Sequence, residues 1–92
     1  MIKNFKHKGL ELFFTTGSKK GITATHAKKI KNRLLFLHAA NSADDMDQPG
    51  FRFHPLVGDL QAHYAVDVSK NWRIVFKFED GNAYVVNYED YH

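Results

Sequence analysis

Trp72-Arg73-Ile74-Val75-Phe76-Lys77-Phe78, followed after Glu79 by Asp80-Gly81 and then by Ala83-Tyr84-Val85-Val86-Asn87-Tyr88, is the stretch that decides the fold. Successive side chains of a strand point to opposite faces, so this run predicts a strand with Trp72, Ile74, Phe76 and Phe78 in a core. Arg73, Val75 and Lys77 then face the other way. Asp80-Gly81 is a hairpin signal, and residues 83–88 supply the returning strand. Upstream, residues 61–68 alternate too, with Tyr64, Val66 and Val68 on one side, and Ser69-Lys70-Asn71 make the tight turn. Phe51 to Leu56, ended by Val57-Gly58-Asp59, predicts a further short strand.

Ahead of this sheet the period changes. Residues 9–16 have apolar side chains at 10, 12, 13 and 14, and Gly17 offers a helix C-cap. In the segment 23–38, Ala27, Ile30, Leu34 and Leu37 make one buried helical stripe, with Thr23 or Thr25 to cap its start. Lys28, Lys29, Lys31, Asn32 and Arg33 lie off the stripe and predict a basic outer face. Ile2 to Phe5 suits a short first strand, and the acidic stretch 41–50 reads as the connection from helices to sheet. The order is one strand, two helices and four strands. It predicts a single α+β domain over residues 1–92, with two N-terminal helices on one face of a mostly antiparallel sheet.

Ninety-two residues leave no room for a second core. Apolar residues make up 43% and aromatics 14%, enough for a packed interior. Without cysteine there is no disulfide scaffold and no thiolate chemistry. No run approaches the roughly 20 apolar residues of a membrane span, and the N-terminus lacks a signal-peptide core, so a cytoplasmic protein is expected. Charge is divided unevenly. Residues 1–40 hold nine Lys and Arg against Glu11 alone, a net +8, whereas residues 41–92 carry −5 within the chain's overall +3. A half that basic suits a polyanion surface; the plainer reading is a solvated helix face.

Helices on one face of a sheet leave the other open, so Arg73 and Lys77 project onto a bare surface. The Arg73 fork suits phosphate oxygens, or else it pairs with Glu89 or Asp67. Pro55 keeps His54 extended, and alternation puts His54 with Arg52, opposite Phe51 and Phe53. The chain ends Asn87-Tyr88-Glu89-Asp90-Tyr91-His92. Here an acid, a phenol and an imidazole follow a strand directly, and Tyr88 and Tyr91 are expected to hold the tail against the body. The six histidines show no metal-ligand spacing, so no metal and no cofactor are expected. Glycine-rich phosphate loops and nucleophile elbows are absent as well.

The opening Met1-Ile2-Lys3-Asn4-Phe5-Lys6-His7-Lys8-Gly9-Leu10, the stretch Phe53-His54-Pro55-Leu56 with Gly58-Asp59, the strand Asn71-Trp72-Arg73-Ile74 and the terminal Asn87 to His92 resemble the HigB toxins of the RelE/ParE superfamily. The resemblance covers essentially the whole chain. It implies a β-α-α-β-β-β-β domain that cleaves messenger RNA in the ribosomal A site without a metal, and a helix-turn-helix, HigA-like antitoxin as partner. It implies His54, Arg73, Asp90, Tyr91 and His92 as catalytic residues and Asn71 as a contact to the bases, with Lys77 and Arg52 expected on the RNA. Lys28, Lys29, Lys31 and Arg33 are the expected ribosome-docking cations. One departure stands out: Val57 occupies a position, between Leu56 and Gly58, where family members can carry a lysine. Two other readings of the same residues are a ParE-like gyrase poison, which generally lacks the histidine and acidic terminal set, and a non-catalytic RNA- or ribosome-binding module.

Overall fold

In the computed structural model, which describes residues 1–58 and 62–91, two helices pack on a four-stranded antiparallel sheet. Helix α1 spans Lys8–Thr16. Its first turn is capped by an imidazole: His7 Nδ1 accepts a hydrogen bond from the Leu10 N–H at 2.9 Å. Gly17 ends it at φ +83, with its N–H on the Phe13 carbonyl, as a left-handed cap requires. Gly9 and Gly21 touch backbone to backbone, and a Cβ on Gly9 would lie 2.6 Å from both the Cα and the carbonyl oxygen of Gly21. That contact fixes how the loop leaves α1.

Helix α2 spans Ala27–Ala39 behind a 3₁₀ turn, Ala24–His26. Thr23 stands at the start of that turn, but its side chain makes no capping bond. The predicted stripe of Ala27, Ile30, Leu34 and Leu37 is buried. Arg33 departs from expectation. It is 8% exposed rather than part of the outer face. Its Nε donates to the Asp67 carbonyl at 2.8 Å, another guanidinium nitrogen reaches the Gly50 carbonyl at 3.3 Å, and the group lies 4.4 Å over the Phe51 ring. The long arginine arm crosses from helix to sheet and satisfies one strand-end and one loop carbonyl, which a helical period cannot reveal. Burial lowers the Arg33 pKa, with nearby Asp67 opposing the shift.

The strands are β1 (His54–Pro55), β2 (His63–Asp67), β3 (Trp72–Glu79) and β4 (Asn82–Asp90), paired in that order. Asp80 at φ +52 and Gly81 at φ +79 form the β3–β4 turn, the paired left-handed conformation that suits strand twist. The Phe51–Leu56 strand is shorter than predicted because Arg52, at φ +50, breaks the extended run. Phe51 turns into the core while its carbonyl accepts from the Asp67 N–H at 2.7 Å. The expected strand 61–68 is seen over His63–Asp67; Gln61, like Asp59, lies outside the described residues.

Ile2 and Phe5 form parallel bridges to Ala83 and Val86, so the N-terminal segment flanks β4 without becoming a regular strand. The core lies between helices and sheet. Leu10, Ile30, Leu34, Leu37, Met46, Val66, Ile74, Phe76 and Val86 are fully buried there, each side chain of this kind contributing about 1.5–3 kcal/mol of hydrophobic stabilisation.

Candidate active site on the open sheet face

Register places the polar side chains. Directly opposed residues of antiparallel strands share a face. His54 pairs with Ala65, Ala65 with Val75, and Val75 with Asn87, making one row across all four strands. The neighbouring row is Asp67, Arg73 and Glu89, and His63, Lys77 and Tyr84 form the row on the other side. These rows lie on the side away from the helices, since Ile74, Phe76 and Tyr88 on the alternate positions belong to the core.

Arg73 is the centre of this face, with its side chain 19% exposed. It donates to Glu89 Oε2 at 3.2 Å, and its guanidinium carbon lies 4.7 Å from the Tyr91 ring centroid. Its Nε is buried and has no hydrogen-bond partner among the described residues. Glu89 in turn accepts from Asn87 Nδ2 at 3.4 Å. Asp67 pairs instead with Arg52, at 3.4 Å. Of the two partners the sequence offered for Arg73, the structure selects Glu89.

The chain end is held as the two tyrosines suggest. Tyr88 is buried, stacks on Trp72 at 4.5 Å and places its hydroxyl 2.6 Å from His26 Nδ1. Tyr91 donates its backbone N–H to the Asn71 carbonyl at 2.9 Å and its hydroxyl to the Lys70 carbonyl at 3.4 Å. Both bonds go to the β2–β3 turn, which brings Asn71 beside Tyr91 and Arg73.

His54 is exposed in β1, with Nδ1 2.8 Å from the Arg52 carbonyl. A carbonyl can only accept, so Nδ1 is the donor in this bond and Nε2 is not used by it. Arg52 is exposed beside it, and Lys77 forms a surface pair with Glu79 at 3.1 Å.

Asp90 lies elsewhere. It pairs with Trp72, so alternation directs it to the helix side of β4, opposite Arg73 and Glu89. His92 lies outside the described residues. Lys28, Lys29 and Lys31 are exposed on α2, whereas Arg33 is not. Among the described residues there is no group of His, Cys, Asp or Glu able to hold a metal ion, and no helix long and apolar enough to cross a membrane. Glu89, which the sequence offers only as one of two pairing partners for Arg73, joins the site because the β3–β4 register sets it directly opposite Arg73.

A two-helix layer behind an antiparallel meander, with arginine, histidine and tyrosine on the bare face, has the architecture of a RelE-like toxin, and sequence comparison agrees. The chain matches the HigB-like toxins, the RelE-like toxins of the type II toxin–antitoxin system HigB, over residues 3–92. It is 42% identical to Endoribonuclease HigB of Proteus vulgaris over 92 residues, the full length of both. Toxin HigB-1 of Vibrio cholerae serotype O1 is 32% identical over 85 residues, 90% of each chain. The chain belongs to the HigB-like family of type II toxins.

Proposed function

We propose that this toxin is an endoribonuclease that cuts messenger RNA in the ribosomal A site, without a metal, by activating the RNA's own 2′-hydroxyl. The observation that carries this reading is Arg73, held by Glu89 and Tyr91 on an uncovered sheet face one row from His54. Family membership and the endoribonuclease name of the Proteus relative support it.

In the reaction a base removes the 2′-OH proton and the oxygen attacks the adjacent phosphorus. The bond from phosphorus to the 5′-oxygen breaks as an acid protonates that leaving oxygen. The products are a 2′,3′-cyclic phosphate and a 5′-hydroxyl. His54, exposed and held through Nδ1, and His92 at the chain end are the two proton-moving groups, each worth a typical 10²–10⁴-fold. Arg73 has five N–H donors, of which Glu89 takes one, so it can hold the phosphorane oxygens while staying fixed. The ring of Tyr91 stacks on a base or offers its hydroxyl. Asp90, on the other side of the strand, has the supporting role of orienting an imidazole. Asn71 meets the bases, and Lys77 and Arg52 line the path of the strand.

So small a site depends on the ribosome to splay the message, and exposed Lys28, Lys29 and Lys31 dock on ribosomal RNA with steep salt dependence. This activity belongs in the cytoplasm. Its control falls to a HigA-like helix-turn-helix antitoxin. Replacing the 2′-OH of the nucleotide before the cut with hydrogen is expected to abolish cleavage in programmed ribosomes. Continued cutting of that message would end the mechanism.

A further inference from the structure

A second part of the open face carries a cavity of about 380 Å³ lined by Lys6, His63, Val75, Val85, Asn87 and Glu89. That volume lies within the roughly 300–1,000 Å³ of small-ligand sites. Its shape follows from a bulge. Val75 pairs with Asn87 but Lys77 pairs with Tyr84, so Val85 and Val86 together stand opposite Phe76. Val85 sits at φ +47, a left-handed conformation that costs a β-branched residue about 1–3 kcal/mol. Its N–H is held by Asn4 Oδ1 at 2.5 Å. A bulge bends its strand and re-aims the following side chains, here Asn87 and Glu89.

The cavity has an apolar floor, Val75 and Val85, with polar groups around it. Lys6 stands at the outer edge, since its N–H bonds to the Val86 carbonyl. Glu89 joins the cavity to the catalytic cluster, receiving Asn87 on one oxygen and Arg73 on the other.

We infer that this cavity is a base subsite for an unpaired nucleobase next to the scissile linkage, an inference that rests on the nuclease reading. The ring lies on the valine floor, its edge meets Asn87 Oδ1 and the Glu89 carboxylate, and the backbone phosphate lies toward Lys6. Two acceptors at the base edge call for a donor. The subsite therefore favours bases with an exocyclic amine over uracil, which offers a single N–H between two carbonyls and would set a carbonyl oxygen against an acceptor.

The test is a message library randomised around the cut, translated with purified toxin, with the fragment 5′ ends sequenced. Wild type is expected to disfavour uracil at one flanking position by about tenfold, the size of one base-edge contact. Asn87→Ala is expected to bring that position near parity, and Lys6→Ala to slow cutting evenly across sequences. An identical base profile in wild type and Asn87→Ala overturns the subsite. In parallel, a non-cleavable 2′-O-methyl trinucleotide is titrated into ¹⁵N- and methyl-labelled toxin, whose spectra also show that each variant is folded. Shifts at the Asn87 amide and the Val75 and Val85 methyls support the subsite, and their absence overturns it. If wild type cuts nothing while these signals still move, the nuclease reading fails and the base site stands.

Discussion

Replacing Arg33 with alanine tests the most unexpected feature of the fold. Read from the helical period, Arg33 is one more surface cation, and its loss would change stability by no more than about 0.5 kcal/mol. Its surroundings say otherwise. It makes two bonds to the carbonyls of Asp67 and Gly50, lies over Phe51 and is almost wholly buried. Hydrogen bonds from a charged donor are worth about 1.5–3 kcal/mol each, and a shielded cation–π contact about 0.5–2 kcal/mol. Desolvation, which also lowers the Arg33 pKa, offsets part of this gain. Truncation in addition leaves two carbonyls and a gap beside Phe51. We expect Arg33→Ala to lose about 3 kcal/mol. Urea unfolding of the purified toxin measures it, with Lys31→Ala as the surface control; a lower midpoint at unchanged slope is the expected result. Arg33→Lys keeps the charge but not the fork, and should recover less than half of the loss. If Arg33→Ala unfolds within about 0.5 kcal/mol of Lys31→Ala, the strut reasoning is refuted.

Two further outcomes concern local geometry. Gly9→Ala drives a Cβ against the Gly21 backbone at 2.6 Å, where no side chain can swing aside, so thermal unfolding should show a loss of about 2–3 kcal/mol. Asp45 accepts bonds from the Asn41 and Ser42 N–H groups, and these hold its carboxyl below the usual range. A depressed folded pKa means that this stabilisation is present above the ordinary carboxylate pKa of about 4 and is lost as the pH falls through the folded value. Stability followed from pH 6 down to about pH 2 should fall less steeply in Asp45→Asn than in wild type; parallel curves would contradict the assignment.

How far the sequence could be read depended on how local each interaction is. The Trp72-to-Phe78 alternation, the Asp80-Gly81 turn, the Gly17 cap and the Ala27-to-Leu37 stripe each rest on residues within one or two turns or a strand's length. All four appear as expected. Phe51 to Leu56 shrank to a two-residue strand because Arg52 adopts a left-handed conformation that its residue type does not announce. At the candidate site, His54 and Arg73 fall on one face as period 2 predicts. Asp90 does not join them, because motif matching treats the last residues as a block whereas a strand deals them to alternate sides.

The order of chain elements, the division into helical and strand-forming halves, the apolar faces and the family motifs were all written in the residues themselves, since periodicity and turn chemistry act over short distances. Tertiary structure alone decided that Arg33 is an internal strut, that Glu89 rather than Asp67 holds Arg73, and that a bulge at Val85 opens a cavity beside them. The Arg33 strut depends on which backbone carbonyls the folded sheet brings beside α2; the other two depend on strand register, where a shift by a single residue would turn the side chains to the other face.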